Sequence, residues 1–189
     1  MKIPIEVSAR HVHLSKGDLE ELFGKGYELK KMKDLTQPGE FAAQECVDIE
    51  AGARKISNVR IIGPARSKTQ IELAKTDAIT LGIAVPVRKS GDIKGTPGIM
   101  VSGPAGKIQL EKGVINTWRH IHCSPKEAKK LGLKNGMKVS VKTSGKTAVT
   151  FHNVLVKIGE NYRLCMHLDT DEGNAAGIVR AGFGEILGY

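Results

Sequence analysis

Short apolar runs, many of them alternating with polar positions and closed by glycine or proline, dominate the chain and predict strands rather than long helices. Residues 3–9 read as a first strand and 27–35 as a further one. Residues 45–50 and 55–62 read as two more, joined at Ala51-Gly52. Later strands are expected at 137–143 and 146–158, turned at Ser144-Gly145, and at 162–168. The helical segments are brief. Residues 16–23 put Leu19, Leu22 and Phe23 on one face, Asp77 to Gly82 reads as a helical turn, and the acidic run from Asp169 leads into a short helix with Ala175 and Ala176. Turns are expected at Gln37-Pro38-Gly39-Glu40 and Gly103-Pro104-Ala105-Gly106.

The pattern repeats. Arg10-His11-Val12-His13 returns as Arg119-His120-Ile121-His122, which together hold four of the six histidines. Each copy runs into a capped helix start, Ser15 with Asp18 and Ser124 with Pro125 and Glu127, and each helix stops at a glycine, Gly24 or Gly132. A second block also recurs. Ile71-Glu72-Leu73 matches Met166-His167-Leu168, Asp77 falls in step with Glu172, and Gly82-Ile83 with Gly177-Ile178. Aligned this way, Glu72 corresponds to His167. The duplication predicts a mostly β protein with short helices, built as two pseudo-symmetric small domains.

The repeated triplet has a chemical reading. Side chains i and i+2 of a strand share a face, so the two imidazoles of His-x-His reach one ion. A third ligand from another strand gives a site with open coordination positions, the pattern of catalytic zinc. The expected triads are His11, His13 and Glu72, and His120, His122 and His167; imidazole and carboxylate suit zinc, and iron, nickel and cobalt share those ligand types. Asp169 shares a face with His167 and is a candidate partner for an imidazole. His152 has no counterpart in the first half and reads as structural. Cys123 faces away from His122 and reads as a small buried residue.

Composition narrows the function classes. At 189 residues the chain suffices for one domain or two small ones. The net charge of +9 suits a polyanion, but the basic residues are dispersed and no aromatic stacking motif accompanies them, so a small anionic ligand is expected rather than nucleic acid. Three scattered cysteines without a Cys-x-x-Cys point to a reducing compartment. No apolar run approaches membrane-spanning length, and Met1-Lys2-Ile3-Pro4 lacks the apolar stretch of a signal peptide. Two basic turns offer anion contacts. Arg66, in Gly63-Pro64-Ala65-Arg66, stands six residues before Glu72; Arg88 and Ser90 belong to a glycine-bearing loop suited to a phosphorylated ligand.

The chain resembles the PduL-type phosphate acyltransferases (phosphotransacylases). The resemblance rests on Ser8-Ala9-Arg10-His11-Val12-His13-Leu14, on Gly63-Pro64-Ala65-Arg66 with Thr69-Gln70-Ile71-Glu72, and on Arg88-x-Ser90-Gly91-Asp92. It continues in Arg119-His120-Ile121-His122 and in Met166-His167-Leu168-Asp169-Thr170-Asp171-Glu172 with Asn174-Ala175-Ala176. It implies two small β-barrel domains, 9–118 and 119–189, the second completed by strand 1–8. It implies two zinc ions between them, held by the two triads already named, with Arg66 on phosphate. The implied reaction is acyl-CoA plus phosphate giving acyl phosphate plus CoA, with acetyl or propionyl as the acyl group. A binuclear thioester or phosphoester hydrolase would use the same ligands with water as acceptor. The motif starts within ten residues of Met1, without the amphipathic extension of microcompartment members, so a cytosolic enzyme is expected, as a homo-oligomer without nucleic-acid or membrane partners.

Overall fold

The structure, a computed structural model, describes residues 1–187. Fifteen strands and four short helices follow one another among those residues: β1 (Lys2–Val7), β2 (His11–His13), α1 (Lys16–Phe23), β3 (Lys31–Asp34), β4 (Phe41–Ala51), β5 (Arg54–Gly63), β6 (Gln70–Glu72), α2 (Lys75–Leu81), β7 (Val87–Arg88), β8 (Ile99–Ser102), β9 (Lys107–Leu110), β10 (Val114–Thr117), β11 (His120–Cys123), α3 (Pro125–Leu131), β12 (Lys138–Thr143), β13 (Thr150–Ile158), β14 (Cys165–Leu168), α4 (Thr170–Ala175) and β15 (Ala181–Leu187). No helix among them is long and apolar enough to cross a membrane.

The chain divides into two units. The barrel unit comprises Met1–Ala9, Thr36–Pro38 and the chain from Trp118 onward; the sheet unit comprises Arg10–Leu35 and Gly39–Thr117. In the barrel unit six strands close in the order β1-β14-β11-β13-β12-β15. Ile3 and Ile5 of β1, Val139 and Val141 of β12, Val154 and Val156 of β13, Ile121 and Met166 line one buried core inside the closed sheet. The sheet unit is a curled half-barrel of nine strands in the order β7-β10-β6-β2-β5-β4-β8-β9, with β3 pairing β4. Its core gathers Val12, Leu14, Val47, Ile49, Val59, Ile61, Ile71, Leu73 and Val114.

The two units repeat one local topology. In the sheet unit β2 lies between β5, parallel, and β6, antiparallel, and β6 pairs next with β10, parallel. In the barrel unit β11 lies between β13, parallel, and β14, antiparallel, and β14 pairs next with β1, parallel. The repeat includes an exchange. β1 precedes β2 in sequence yet belongs to the barrel, whereas β10 precedes β11 yet belongs to the sheet. Each repeat therefore lends its first strand to the unit built by the other.

The helices follow their caps. Ser15 accepts from Asp18 N at the start of α1, and Ser124 forms a capping box with Glu127 at α3. Gly82 and Gly132 close α2 and α3 at φ near +70°, where a side chain would be strained. One predicted turn is wider than expected. Thr143 N and Thr143 Oγ1 both donate to the carbonyl of Val149, so residues 144–148 form the loop instead of a two-residue Ser144-Gly145 turn. Thr147 Oγ1, donating to the carbonyl of Ala176, ties that loop down.

Candidate metal centres

β2 is three residues long and flanked on both sides by longer-range partners, so its side chains are fixed by register. His11 pairs directly with Glu72, and His13 with Gln70. Directly opposed residues of an antiparallel pair point to the same face, so both imidazoles and the carboxylate share one side of the sheet. His11 Nε2 and His13 Nε2 stand 3.2 Å apart. Glu72 Oε2 is 3.6 Å from His11 Nε2, and Glu72 Oε1 is 3.8 Å from His13 Nε2. One donor atom from each residue thus falls within 4.8 Å of the others.

The surroundings fix the orientation and protonation of these groups. His13 Nδ1–H donates to the carbonyl of Ile62 at 3.2 Å, which leaves the lone pair on Nε2. Burial, with the His11 ring and then the Arg66 guanidinium, pushes the His13 pKa down to about 3, so the ring is neutral at neutral pH. Glu72 Oε1 accepts from Gln70 Nε2 at 2.7 Å and from Ser90 Oγ at 3.0 Å, and Thr117 Oγ1 donates to Oε2. Gln70 is itself fixed, since Gly91 N donates to its Oε1 at 2.6 Å.

The barrel unit repeats the register. His120 pairs directly with His167, and His122 with Cys165. Ring centroids of His120, His122 and His167 lie 4.5, 5.3 and 5.1 Å apart pairwise. His120 Nδ1–H donates to the carbonyl of Trp118 at 2.8 Å, again placing the lone pair on Nε2. Tyr162 stacks on His122 with centroids 4.1 Å apart. Gln37 Nε2 is 3.4 Å from His167 Nε2 and 3.1 Å from the Arg163 carbonyl to which it donates. Both sets of residues have the donor chemistry of a zinc site: imidazole nitrogens carrying lone pairs, joined in the sheet unit by a fixed carboxylate.

The sequence profile of the phosphate propanoyltransferase family matches residues 4–179. The chain belongs to that family. It is 51% identical over 176 residues to a phosphate propanoyltransferase of Thermotoga maritima, spanning 92% of this chain and 83% of that protein. It is 50% identical over 178 residues to one of Lachnoclostridium phytofermentans, spanning 94% and 83%. For the protein of that name from Priestia megaterium the identity is 48% over 185 residues, spanning 98% and 85%. A member of this family is an acyltransferase.

Around the triads of this phosphate propanoyltransferase family member, the remaining residues singled out by the sequence fall in different places. Arg66 N donates to the carbonyl of Leu14, one residue beyond His13, and the Arg66 guanidinium bonds Glu40 Oε1 at 2.8 Å. Ser90 lies on Glu72, as described, and Arg88 Nη1 donates to the carbonyl of its neighbour Val87. Asp169 caps α4, accepting from Glu172 N at 2.8 Å. Cys123 packs in the barrel core, where burial pushes its thiol up to about 11. His152 pairs with Ser140 Oγ at 2.8 Å on the exposed side of the barrel.

Two further potential donors lie beside His167. Glu6 Oε, Cys165 Sγ and one His167 nitrogen lie within 4.8 Å of one another. Cys165 stands two residues before His167 on the same strand, a spacing that signals a shared face. Glu6 left no such signal, because its position depends on the parallel pairing of β1 with β14, in which it faces His167.

Proposed function

We propose that this chain catalyses reversible transfer of a short acyl group, acetyl or propionyl, between coenzyme A and inorganic phosphate, by metal-dependent direct transfer. His11, His13 and Glu72 would hold one zinc, and His120, His122 and His167 the other. The observation that carries this reading is the identical strand register of the two triads, His11 against Glu72 and His120 against His167, in a chain of this acyltransferase family. When bound, zinc supplies Lewis-acid stabilisation to a departing thiolate and to the acyl carbonyl oxygen.

The chain's own residues supply the rest. Arg66, anchored by its backbone next to His13, offers a planar guanidinium that binds two phosphate oxygens at once and exchanges its Glu40 partner for the anion. It holds phosphate with one oxygen toward the acyl carbon, converting an encounter between two solutes into a positioned one. The phosphate oxygen forms the new bond to the acyl carbon as the carbon–sulfur bond breaks, and coenzyme A leaves with the electron pair as thiolate. Gln70, Ser90 and Thr117 keep Glu72 from swinging into that exchange. Arg88 is the proposed contact for a coenzyme A phosphate, with Ser90 at the base of the same loop. Within this reading the enzyme works in the cytosol as an assembly of identical copies, without a nucleic-acid partner.

Thiol release from acetyl-CoA, followed with and without phosphate and before and after chelation and zinc return, tests the proposal. Release that requires both phosphate and metal supports it. Release with water alone as acceptor would identify a hydrolase instead.

A further inference from the structure

The duplication is broken at two positions that face the barrel-unit imidazoles. The partner of His13 across the strand pair is Gln70, while the partner of His122 is Cys165. On the next strand, Ile115 stands beside Glu72, while Glu6 stands beside His167. In the sheet unit the amide of Gln70 fixes the carboxylate of Glu72. In the barrel unit the same two positions carry a thiol and a carboxylate. Their donor atoms, with one nitrogen of His167, fall within 4.8 Å of one another. Thr36 Oγ1 donates to Glu6 Oε1 and orients that carboxylate. Both Cys165 and Cys123 are fully buried, but Cys123 packs in the apolar core, while Cys165 lies opposite His122 with its thiol 3.6 Å from the Met166 carbonyl.

We infer that Cys165 and Glu6 are metal donors of the barrel unit, alongside His167, so that this centre bears a thiolate and the sheet-unit centre does not. The inference rests on the metal reading of the two triads and adds donors of a different chemical kind. On binding, the Cys165 thiol gives its proton to solvent and the sulfur takes a coordination position: thiol plus divalent cation gives metal thiolate plus a proton. The consequence is inequivalence. A soft thiolate favours zinc and cadmium over hard cations, and a centre with more protein donors is more closed. The sheet-unit centre, with two imidazoles and one carboxylate, keeps more positions for substrate.

Cobalt reports sulfur ligation directly, by a thiolate-to-metal charge-transfer absorption in the near ultraviolet. Metal-free full-length protein is loaded with cobalt alone, and bound cobalt is counted separately by elemental analysis. The inference predicts the charge-transfer band in the unmodified protein and in Cys46→Ser, and its loss in Cys165→Ser. It predicts that Glu6→Gln keeps the band but needs a higher free cobalt concentration to develop it. Two bound cobalt ions without the band would overturn the thiolate and leave the metal reading standing. A band that survives in Cys165→Ser would likewise overturn it. Failure of the unmodified protein to bind cobalt in the barrel unit would overturn both. Because Cys165 is buried and its variants are at risk of misfolding, cadmium NMR of the unmodified protein provides a second test. One resonance shifted into the thiolate range and one in the nitrogen–oxygen range is expected; two in the latter would contradict the proposal.

Discussion

Arg119 Nη1 bonds Glu172 Oε1 at 2.7 Å, linking the residue that precedes His120 to the helix that follows His167. The other half contains the same clasp. Arg10 Nη1 bonds Asp77 Oδ1 at 2.5 Å, linking the residue before His11 to the helix after Glu72. In both clasps the second carboxylate oxygen accepts from the backbone at the start of the acid's own helix, from Asp169 N or Ala74 N. One acidic residue thus caps a helix and fastens a histidine strand to the strand carrying the proposed third ligand.

The clasp yields a pH-dependent prediction. Burial raises the Glu172 pKa above the usual carboxylate range, with the Arg119 hydrogen bond opposing it. A carboxyl raised in the folded state contributes its full stability below the ordinary value and loses it as pH rises through the raised one. Arg119→Ala raises the folded value further, so its destabilisation relative to the parent should grow from acid to neutral pH. Removing one partner of a fully buried pair costs about 3–5 kcal/mol; this pair is partly exposed, so about 1–3 kcal/mol is expected at neutral pH. Urea midpoints at the two pH values measure it, and an equal loss at both would contradict the argument.

Gln70 concerns affinity more than stability. It donates to Glu72 and stands between Ser90 and Gly91. Gln70→Ala should leave the protein folded while weakening zinc at the sheet-unit centre by roughly 10- to 100-fold, the usual cost of losing a hydrogen bond to a ligand. Competition with a chelating dye reads that change. Unaltered affinity would mean that Ser90 and Thr117 suffice to hold the carboxylate.

Arg66 separates charge from geometry. Arg66→Ala should lose phosphate-dependent turnover while retaining its metal. Arg66→Lys should recover only part of it, since an ammonium keeps the charge but not the two-pronged fit. The phosphate dependence of the initial rate is the readout, and kinetics unchanged in phosphate would remove Arg66 from the site.

What the sequence disclosed follows physical range. α1 was legible at 16–23 because a serine cap, an acidic third residue and a glycine stop are all local. The mostly β class was legible from alternation, and the triads were brought onto shared faces by the His-x-His period. β8 and β9 carry no strand signal of their own, although the turn between them is legible. β15 is hidden because Ala181-Gly182-Phe183-Gly184 looks like loop. The structure explains its glycine: a Cβ at Gly184 would stand 2.7 Å from Val141 Cγ1 and 2.8 Å from Ile5 Cδ1. Long-range pairing likewise hid Glu6, and Glu40, the partner of Arg66, lies 26 residues away in sequence.

That glycine gives a stability prediction. Gly184→Ala overpacks the barrel interior and should cost about 1–3 kcal/mol. Chemical denaturation measures it, and a neutral effect would show that Ile5 and Val141 can shift aside.

The central claim is that each half of the duplication holds one metal. Elemental analysis of the purified protein beside His13→Ala and His122→Ala tests it most directly. Two zinc ions per chain in the parent and one in each variant are predicted. Full occupancy in His122→Ala, or loss of both ions from one substitution in a variant that remains folded, would contradict it.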